Sequence, residues 1–214
     1  MQKNIEFLLQ EMRQKAKGGA VISSSVPFNV LISTILSQRT KDKNTEKATK
    51  QLFAKYSRAK EIAAAQAGEI RKLIRPAGFY NMKAKRIKEA SRQIAERFNG
   101  KVPADLEKLL SLPGVGRKTA NCVLVYGFGI PAIPVDVHVH RVSNRIGLVK
   151  AKTPEETEKQ LRERIPEKHW IELNNLFVRY GQAVCLPRSP KCMECAIRPN
   201  CDYFSSTQEK KQFK

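Results

Sequence analysis

Apolar residues recur at intervals of three and four along most of the chain, the spacing that places them on one face of an α-helix. The segment 81–98 is the clearest case, because Ile87, Ala90 and Ile94 form one stripe. Four basic residues in its first half are expected on the opposite, polar face: Lys83, Lys85, Arg86 and Lys88. The same spacing predicts helices over 27–37, 44–56, 67–74, 103–110, 154–164 and 169–180. The sequence therefore predicts an all-α protein.

One segment carries a competing pattern. Val135, Val137 and Val139 alternate with polar residues, as they would in a strand. A longer window gives Val135, Val139, Val142 and Ile146 a helical spacing instead. We predict a helix here, because the length of the pattern is the better criterion.

Charge narrows the class of partner. The 214 residues include 40 Lys and Arg against 20 Asp and Glu, a formal charge of +20. Such a surface attracts polyanions, so nucleic acid is the first partner to consider and an anionic membrane surface the second. Neither a signal peptide nor a spanning segment is recognisable, so we expect an intracellular, cytoplasmic or nucleoid protein with no membrane partner. Residues 205–214 read as a solvated tail.

A glycine motif supplies the first candidate chemistry. The run Leu-Pro-Gly-Val-Gly-Arg-Lys-Thr-Ala, 112–120, lies between two predicted helices. Gly114 and Gly116 would let the backbone turn tightly and expose amides, and the next helix would direct its N-terminal amides at the same place. This is the helix-hairpin-helix pattern of sequence-independent DNA binding. An ordinary interhelical turn is the alternative, but the flanking Arg117 and Lys118 and the net charge favour DNA.

Four of the five cysteines lie together near the C-terminus and suggest a metal centre. Cys185, Cys192, Cys195 and Cys201 are separated by six, two and five residues. Four thiolates on so short a segment can converge on one soft metal centre. Zinc satisfies the ligand type, although zinc ribbons more often use two short pairs with a longer insert. Cys122 lies within an apolar predicted helix and is expected to be a buried core residue.

Taken together, the 112–120 hairpin, the Val-Asp-Val-His segment at 135–138 and the cysteine spacing resemble the endonuclease III family of DNA glycosylases. The resemblance extends from about residue 27 to residue 201. It implies two helical lobes with a DNA-binding groove between them: a six-helix barrel with the helix-hairpin-helix, 24–131, and a cluster lobe from 1–23 and 132–214. It also implies that the four cysteines hold a [4Fe-4S] cluster, which we interpret as a structural clamp. The Lys-, Arg- and Glu-rich helices suggest a thermophilic or archaeal member.

The resemblance implies a bifunctional glycosylase and AP lyase. Lys118 would attack C1′ of a flipped, damaged nucleotide and form a Schiff base, a reaction open to a lysine amine. Asp136 would assist deprotonation and stabilise positive charge on the sugar. Taken without the resemblance, Asp136 reads as a plain helix N-cap and Lys118 as a solvated or phosphate-binding lysine.

Matching to the family also implies a set of DNA contacts. Phe79 stands where a Leu wedge is usual, although it could equally be a core residue. Arg39 stands where a Gln fills the gap opposite the orphaned base, and the neighbouring Gln38 could serve instead. Further DNA contacts are expected from the hairpin, from the cysteine loop and from the segment after Asp136: Gly114, Gly116, Arg117, His138, Arg188 and Lys191.

The predicted function is therefore base excision repair of oxidised or ring-saturated pyrimidines, with cleavage of the abasic site by β-elimination. The expected partner is duplex DNA that contains such lesions or abasic sites, bound by a monomer. Two alternatives remain at this point: a monofunctional mismatch glycosylase (G/T, G/U or A/G), and a non-catalytic basic DNA-binding protein.

Overall fold

The computed structural model describes residues 3–15, 22 and 24–212. Within these ranges the chain forms twelve α-helices and no β-strand, which confirms the all-α prediction. The helices are α1 (Ile5–Lys15), α2 (Pro27–Ser37), α3 (Asp42–Phe53), α4 (Ala59–Ala64), α5 (Ala67–Leu73), α6 (Tyr80–Arg97), α7 (Leu106–Leu110), α8 (Arg117–Cys122), α9 (Val137–Ile146), α10 (Pro154–Arg164), α11 (Trp170–Ala183) and α12 (Asp202–Gln212). A π-helical turn, Val123–Gly127, extends α8, and short 3-10 helices occur at Glu167–His169, Cys192–Glu194 and Arg198–Asn200.

Most predicted helices lie where the apolar spacing indicated them, and the bounds of α2 and α10 coincide with the prediction. The ambiguous segment is helical from Val137 onward, as predicted. The sequence analysis did not predict the six-residue α4, because the helix is short and half of its residues are alanine. Ser205 and Ser206 are exposed, as predicted for a solvated tail, although the described part of 205–214 is helical and belongs to α12.

One compact unit comprises Ser24–Ile130. Its centre is α2, which begins with Pro27 at its first turn and is apolar on nearly every side. Leu31, Ile35 and Leu36 are fully buried, as expected of a helix without a polar face. The apolar stripe of α6 packs into the same core, with Ile87 fully buried.

The other unit comprises Met1–Ser23 and Pro131–Lys214, so it is built from two distant parts of the chain. Leu8, Leu9 and Met12 of α1 are buried in its core, which includes residues of α9 and α11. Polar contacts reinforce this packing. Arg13 Nε donates to Glu172 at 3.0 Å, and His169 Nε2 lies 2.9 Å from a carboxylate oxygen of Glu6.

Candidate functional site

Gly114 is a glycine because the turn of the hairpin demands one. Its φ is +81°, in the left-handed region that side chains disfavour. A Cβ added there would lie 3.0 Å from Arg86 Cδ and 3.2 Å from Arg86 Cβ. Both the backbone conformation and the packing of α6 therefore disfavour a larger residue at this position.

Gly116 is a glycine for a different reason. Its φ of −97° and ψ of 177° are extended backbone that any residue adopts. A Cβ added there would meet no atom within 4 Å. Only Gly114, and not both glycines, is needed for the tight turn, which corrects the sequence interpretation. The exposed edge at Gly116 leaves open space directly before α8, where a bound group could approach the backbone closely.

Arg117 and Lys118 are the first two residues of α8, directly after this edge. Arg117 is exposed and Lys118 is half-buried. The helix is anchored behind them by Ala120 and Cys122, both fully buried, so Cys122 is the core residue that the sequence indicated. The backbone thus presents both basic side chains from a fixed helix start.

Asp136 is the N-cap of α9, in the other unit. Its Oδ1 accepts hydrogen bonds from the amides of His138 and Val139, each at 2.9 Å. These two bonds satisfy amides that a helix start leaves without backbone partners, and they fix the orientation of the carboxylate. The N-cap reading is therefore correct, and it is compatible with a chemical role for the same group.

His138 lies where α9 packs against α11. Its Nδ1 is 3.2 Å from Arg141 Nη2, and the same Arg141 nitrogen donates to the carbonyls of Gly181 and Cys185, each at 3.0 Å. A Cβ on Gly181 would lie 2.9 Å from His138 Nδ1. The segment that carries Asp136 and His138 is thus joined to the start of the cysteine loop.

An open pocket of about 340 Å³ lies in the Ser24–Ile130 unit and includes both gap-filling candidates. Arg39 and Phe79 both line it, with left-handed φ values of 51° and 57°. Phe79 is 58% exposed, so it is not a core residue. Gln38 Nε2 donates to the Gly114 carbonyl at 2.9 Å, which ties Gln38 to the hairpin and leaves Arg39 as the exposed residue of the pair.

The floor of this pocket contains a residue that the sequence analysis placed wrongly. Lys83 is 2% exposed and not on a polar face. Its Nζ donates to the carbonyls of Leu36 and Gln38, each at 2.6 Å, and to Thr40 Oγ1 at 2.7 Å. Burial lowers the pKa of Lys83 to about 8. The signal was present in the sequence, because Lys83 is in helical phase with Ile87 and Ile94.

The four C-terminal cysteines are free thiols on one short loop. Burial, and then the neighbouring Cys195 and Cys185, raise the pKa of Cys192, so the sulfur atoms influence one another. Arg145 Nη1 lies 3.6 Å from Cys185 Sγ, and the thiol of Cys201 donates to the Arg145 carbonyl at 3.4 Å. Among the described residues, no three His, Cys, Asp or Glu side chains are arranged to hold a metal ion.

The donor set nevertheless fits an iron-sulfur cluster. A cationic metal centre would favour the thiolate form that burial disfavours, and the Arg145 guanidinium would offset the negative charge of the thiolates. The remaining sequence candidates on this loop, Arg188 and Lys191, are both exposed. Between them lie Pro190 and Ser189, and the φ of Ser189 is 48°.

Comparison with known proteins decides the family. The family profile described as HhH-GPD superfamily base excision DNA repair protein matches residues 32–167. Endonuclease III of Thermotoga maritima is 52% identical over 178 residues, which cover 83% of this chain and 84% of that protein. The chain belongs to the endonuclease III family. Proteins of the endonuclease III family are base-excision-repair DNA glycosylases and AP lyases, and the sequence prediction of that enzyme class is confirmed.

Solved structures of this superfamily share the fold along almost the whole chain. The complex described as "Structure of a Trapped Endonuclease III-DNA Covalent Intermediate: Estranged-Adenine Complex" matches with a TM-score of 0.90 and 34% identity, covering 97% of this chain and 99% of that one. A thermostable thymine-DNA glycosylase matches with a TM-score of 0.84 and 25% identity, covering 94% and 96%. The endonuclease III fold inferred from the sequence is therefore confirmed. No helix in the described ranges is both long and apolar enough to cross a membrane.

Proposed function

We propose that this endonuclease III family member removes oxidised or ring-saturated pyrimidines from duplex DNA and then cleaves the abasic site by β-elimination. The observation that supports this most directly is the position of Lys118 at the start of α8, one residue beyond Arg117 and the open Gly116 edge. A phosphate bound at this edge would bring a deoxyribose within reach of the Lys118 amine.

In the proposed mechanism, the Lys118 nitrogen forms a bond to C1′ of the flipped nucleotide while the bond from C1′ to the base breaks. The base leaves with the bonding electron pair and takes up a proton from water. Asp136 accepts a proton from the attacking amine and stabilises the positive charge that builds on the sugar. Ring opening gives a Schiff base between Lys118 and C1′. Loss of a C2′ proton then expels the 3′ phosphate, and hydrolysis releases Lys118. A relative that was trapped in a covalent intermediate with DNA supports this route.

We propose that residues of both units contact the DNA. Gly114 and Gly116 shape the backbone that meets a phosphate, and Arg117 adds charge beside it. His138, Arg188 and Lys191 are proposed to contact the DNA from the other unit. One copy of the chain carries all of these residues, so we propose a monomer that acts on nucleoid DNA.

Phe79 is proposed as the wedge that enters the duplex, and Arg39 as the group that fills the gap opposite the orphaned base. Both are exposed residues at one pocket, whereas Gln38 is held by the hairpin. A flipped base costs a few kcal/mol of unstacking, which inserted side chains recover in part.

Cys185, Cys192, Cys195 and Cys201 are proposed to hold a [4Fe-4S] cluster. The cluster would join the C-terminal loop into one rigid segment, and the chemistry at the sugar is carried by Lys118 and Asp136. Anaerobically isolated protein is expected to be brown, and Cys192→Ser is expected to lose iron. A colourless protein that contains zinc would contradict this assignment.

Borohydride trapping tests the proposed nucleophile. Reduction during turnover should link the wild-type chain covalently to an abasic oligonucleotide, and Lys118→Ala should give no adduct. Lys108→Ala, an exposed lysine of α7, is the matched control and should trap like the wild type. An adduct that forms equally well in Lys118→Ala would show that the nucleophile is another residue.

A monofunctional mismatch glycosylase is the second candidate, favoured by the fold similarity to a thymine-DNA glycosylase. Such an enzyme would release thymine from a G/T duplex and leave the backbone uncut. We therefore expect base release from a G/T duplex to be slower than base release from a duplex that contains 5,6-dihydrouracil. We also expect strand cleavage to accompany the release of dihydrouracil.

A further inference from the structure

We propose that Lys83 is a positioning residue for base flipping, because it holds the two loops that carry Arg39 and Phe79. This inference rests on the proposed roles of those two residues as plug and wedge. It assigns to Lys83 no contact with DNA, since only 2% of the residue is exposed.

The first loop is held at the C-terminal end of α2. The last carbonyls of a helix have no backbone partners within it, and a buried helix end needs another donor. Lys83 supplies this donor to the carbonyls of Leu36 and Gln38 at 2.6 Å each. The residue that follows Gln38 is Arg39, whose left-handed backbone is unfavourable for a side-chain-bearing residue. The Lys83 ammonium therefore stabilises the loop directly before Arg39, the residue with the strained backbone.

The second loop is held through Thr40. Thr40 Oγ1 accepts from Lys83 Nζ at 2.7 Å and from the Gly78 amide at 3.0 Å. A Cβ on Gly78 would lie 2.9 Å from the Arg39 carbonyl oxygen, so the two loops are in direct backbone contact. Phe79 follows Gly78 and is also left-handed. One buried ammonium and one hydroxyl thus connect both strained positions.

Such a cluster fixes the wedge and the plug before DNA arrives. A side chain that enters a duplex already in its final orientation loses less conformational freedom on binding. The fixed positions of Arg39 and Phe79 should raise the rate of base release, because a base must then be extracted from the stack. They should affect cleavage of a preformed abasic site much less, because unstacking costs least where the base is already lost.

The test compares two reactions of the same variant under single-turnover conditions. Lys83→Met keeps a four-atom apolar stem in place of the lysine methylenes and removes the ammonium donors. We expect base release from a 5,6-dihydrouracil duplex to fall at least about tenfold, the effect of one lost charge-assisted hydrogen bond. Cleavage of a preformed abasic site should change less than about threefold, because no base has to be extracted. A 2-aminopurine next to the lesion should also show a smaller fluorescence rise on binding.

Lys88→Met is the matched control. Lys88 lies on the same helix and donates to the Ala65 carbonyl at 2.6 Å, away from the pocket. Lys88→Met should leave the ratio of base release to abasic-site cleavage at its wild-type value. If Lys83→Met does not fold, Thr40→Val is the variant to test. This substitution removes the hydroxyl that links Lys83 to Gly78 and leaves the two carbonyl contacts of Lys83 in place. It should show the same selective loss of base release.

A parallel loss of both reactions in the variant that is tested, or no loss in either, would overturn the inference. These results differ from failure of the proposed function itself. In that case the wild-type chain would neither release dihydrouracil nor trap on an abasic oligonucleotide.

Discussion

The two glycines of the hairpin should respond in opposite ways to the same substitution. Gly114→Ala places a Cβ on a backbone with φ +81° and within 3.0 Å of Arg86 Cδ. A left-handed alanine costs about 1–2 kcal/mol. For a chain of this size, 1 kcal/mol corresponds to about 2–4 °C in Tm, so the variant should melt about 2–8 °C lower.

Gly116→Ala should not lower the Tm. Its backbone is extended and its Cβ would meet nothing within 4 Å. Replacing glycine at such a site removes unfolded-state freedom and stabilises a protein by about 0.4–1 kcal/mol. In the proposed DNA interface, however, the added methyl group would stand where a phosphate approaches the amides. Loss of a hydrogen bond to a charged group costs about 1.5–3 kcal/mol, so DNA affinity should fall about tenfold or more.

Fluorescence anisotropy with a duplex containing a stable abasic analogue measures the affinity, and a thermal melt of each variant measures the stability. Gly129→Ala is a control for left-handed strain away from the hairpin, because Gly129 has φ +66° and its Cβ would also meet nothing within 4 Å. It should lower the Tm and leave affinity unchanged. Wild-type affinity in Gly116→Ala would refute the phosphate-binding role of this edge.

Three further outcomes follow from the same structure. Asp136→Asn retains an oxygen that can cap α9, so it should fold and bind DNA while base release falls at least about a hundredfold; a matching loss of affinity would indicate a binding role. DNA affinity should fall about a thousandfold between 50 and 200 mM salt if about six phosphates are neutralised, and a flat response would exclude phosphate-dominated binding. Arg13 lowers the pKa of Glu172, and Lys168 and then His169 lower the pKa of Glu6 to about 2. Stability from these carboxylates is present above about pH 4.5 and is lost as the pH falls toward 2. The decrease of Tm between pH 4.5 and pH 2 should therefore be smaller in Glu172→Gln than in the wild type. The control Glu163→Gln should behave like the wild type.

The contact between Lys83 and the end of α2 is a feature that the sequence does not predict. Helical phase alone places Lys83 on the apolar stripe of α6, whereas the usual solvation of lysine side chains predicts the polar face. The exception depends on three acceptors from residues 43 to 47 positions earlier in the chain. A local sequence pattern cannot predict acceptors that lie so far away in the chain.

The helical class, the position of most helices, the hairpin motif and the family can all be predicted from the amino-acid sequence, because each depends on local periodicity or on residue spacing. Three properties required the three-dimensional contacts: which of the two hairpin glycines the turn needs, which of Gln38 and Arg39 bonds to the hairpin, and the exposure of Phe79. The tertiary structure also decided that α1 packs in one core with α9 and α11. These properties depend on contacts between residues far apart in the chain, and burial and hydrogen-bond partners are settled only when the helices pack against one another.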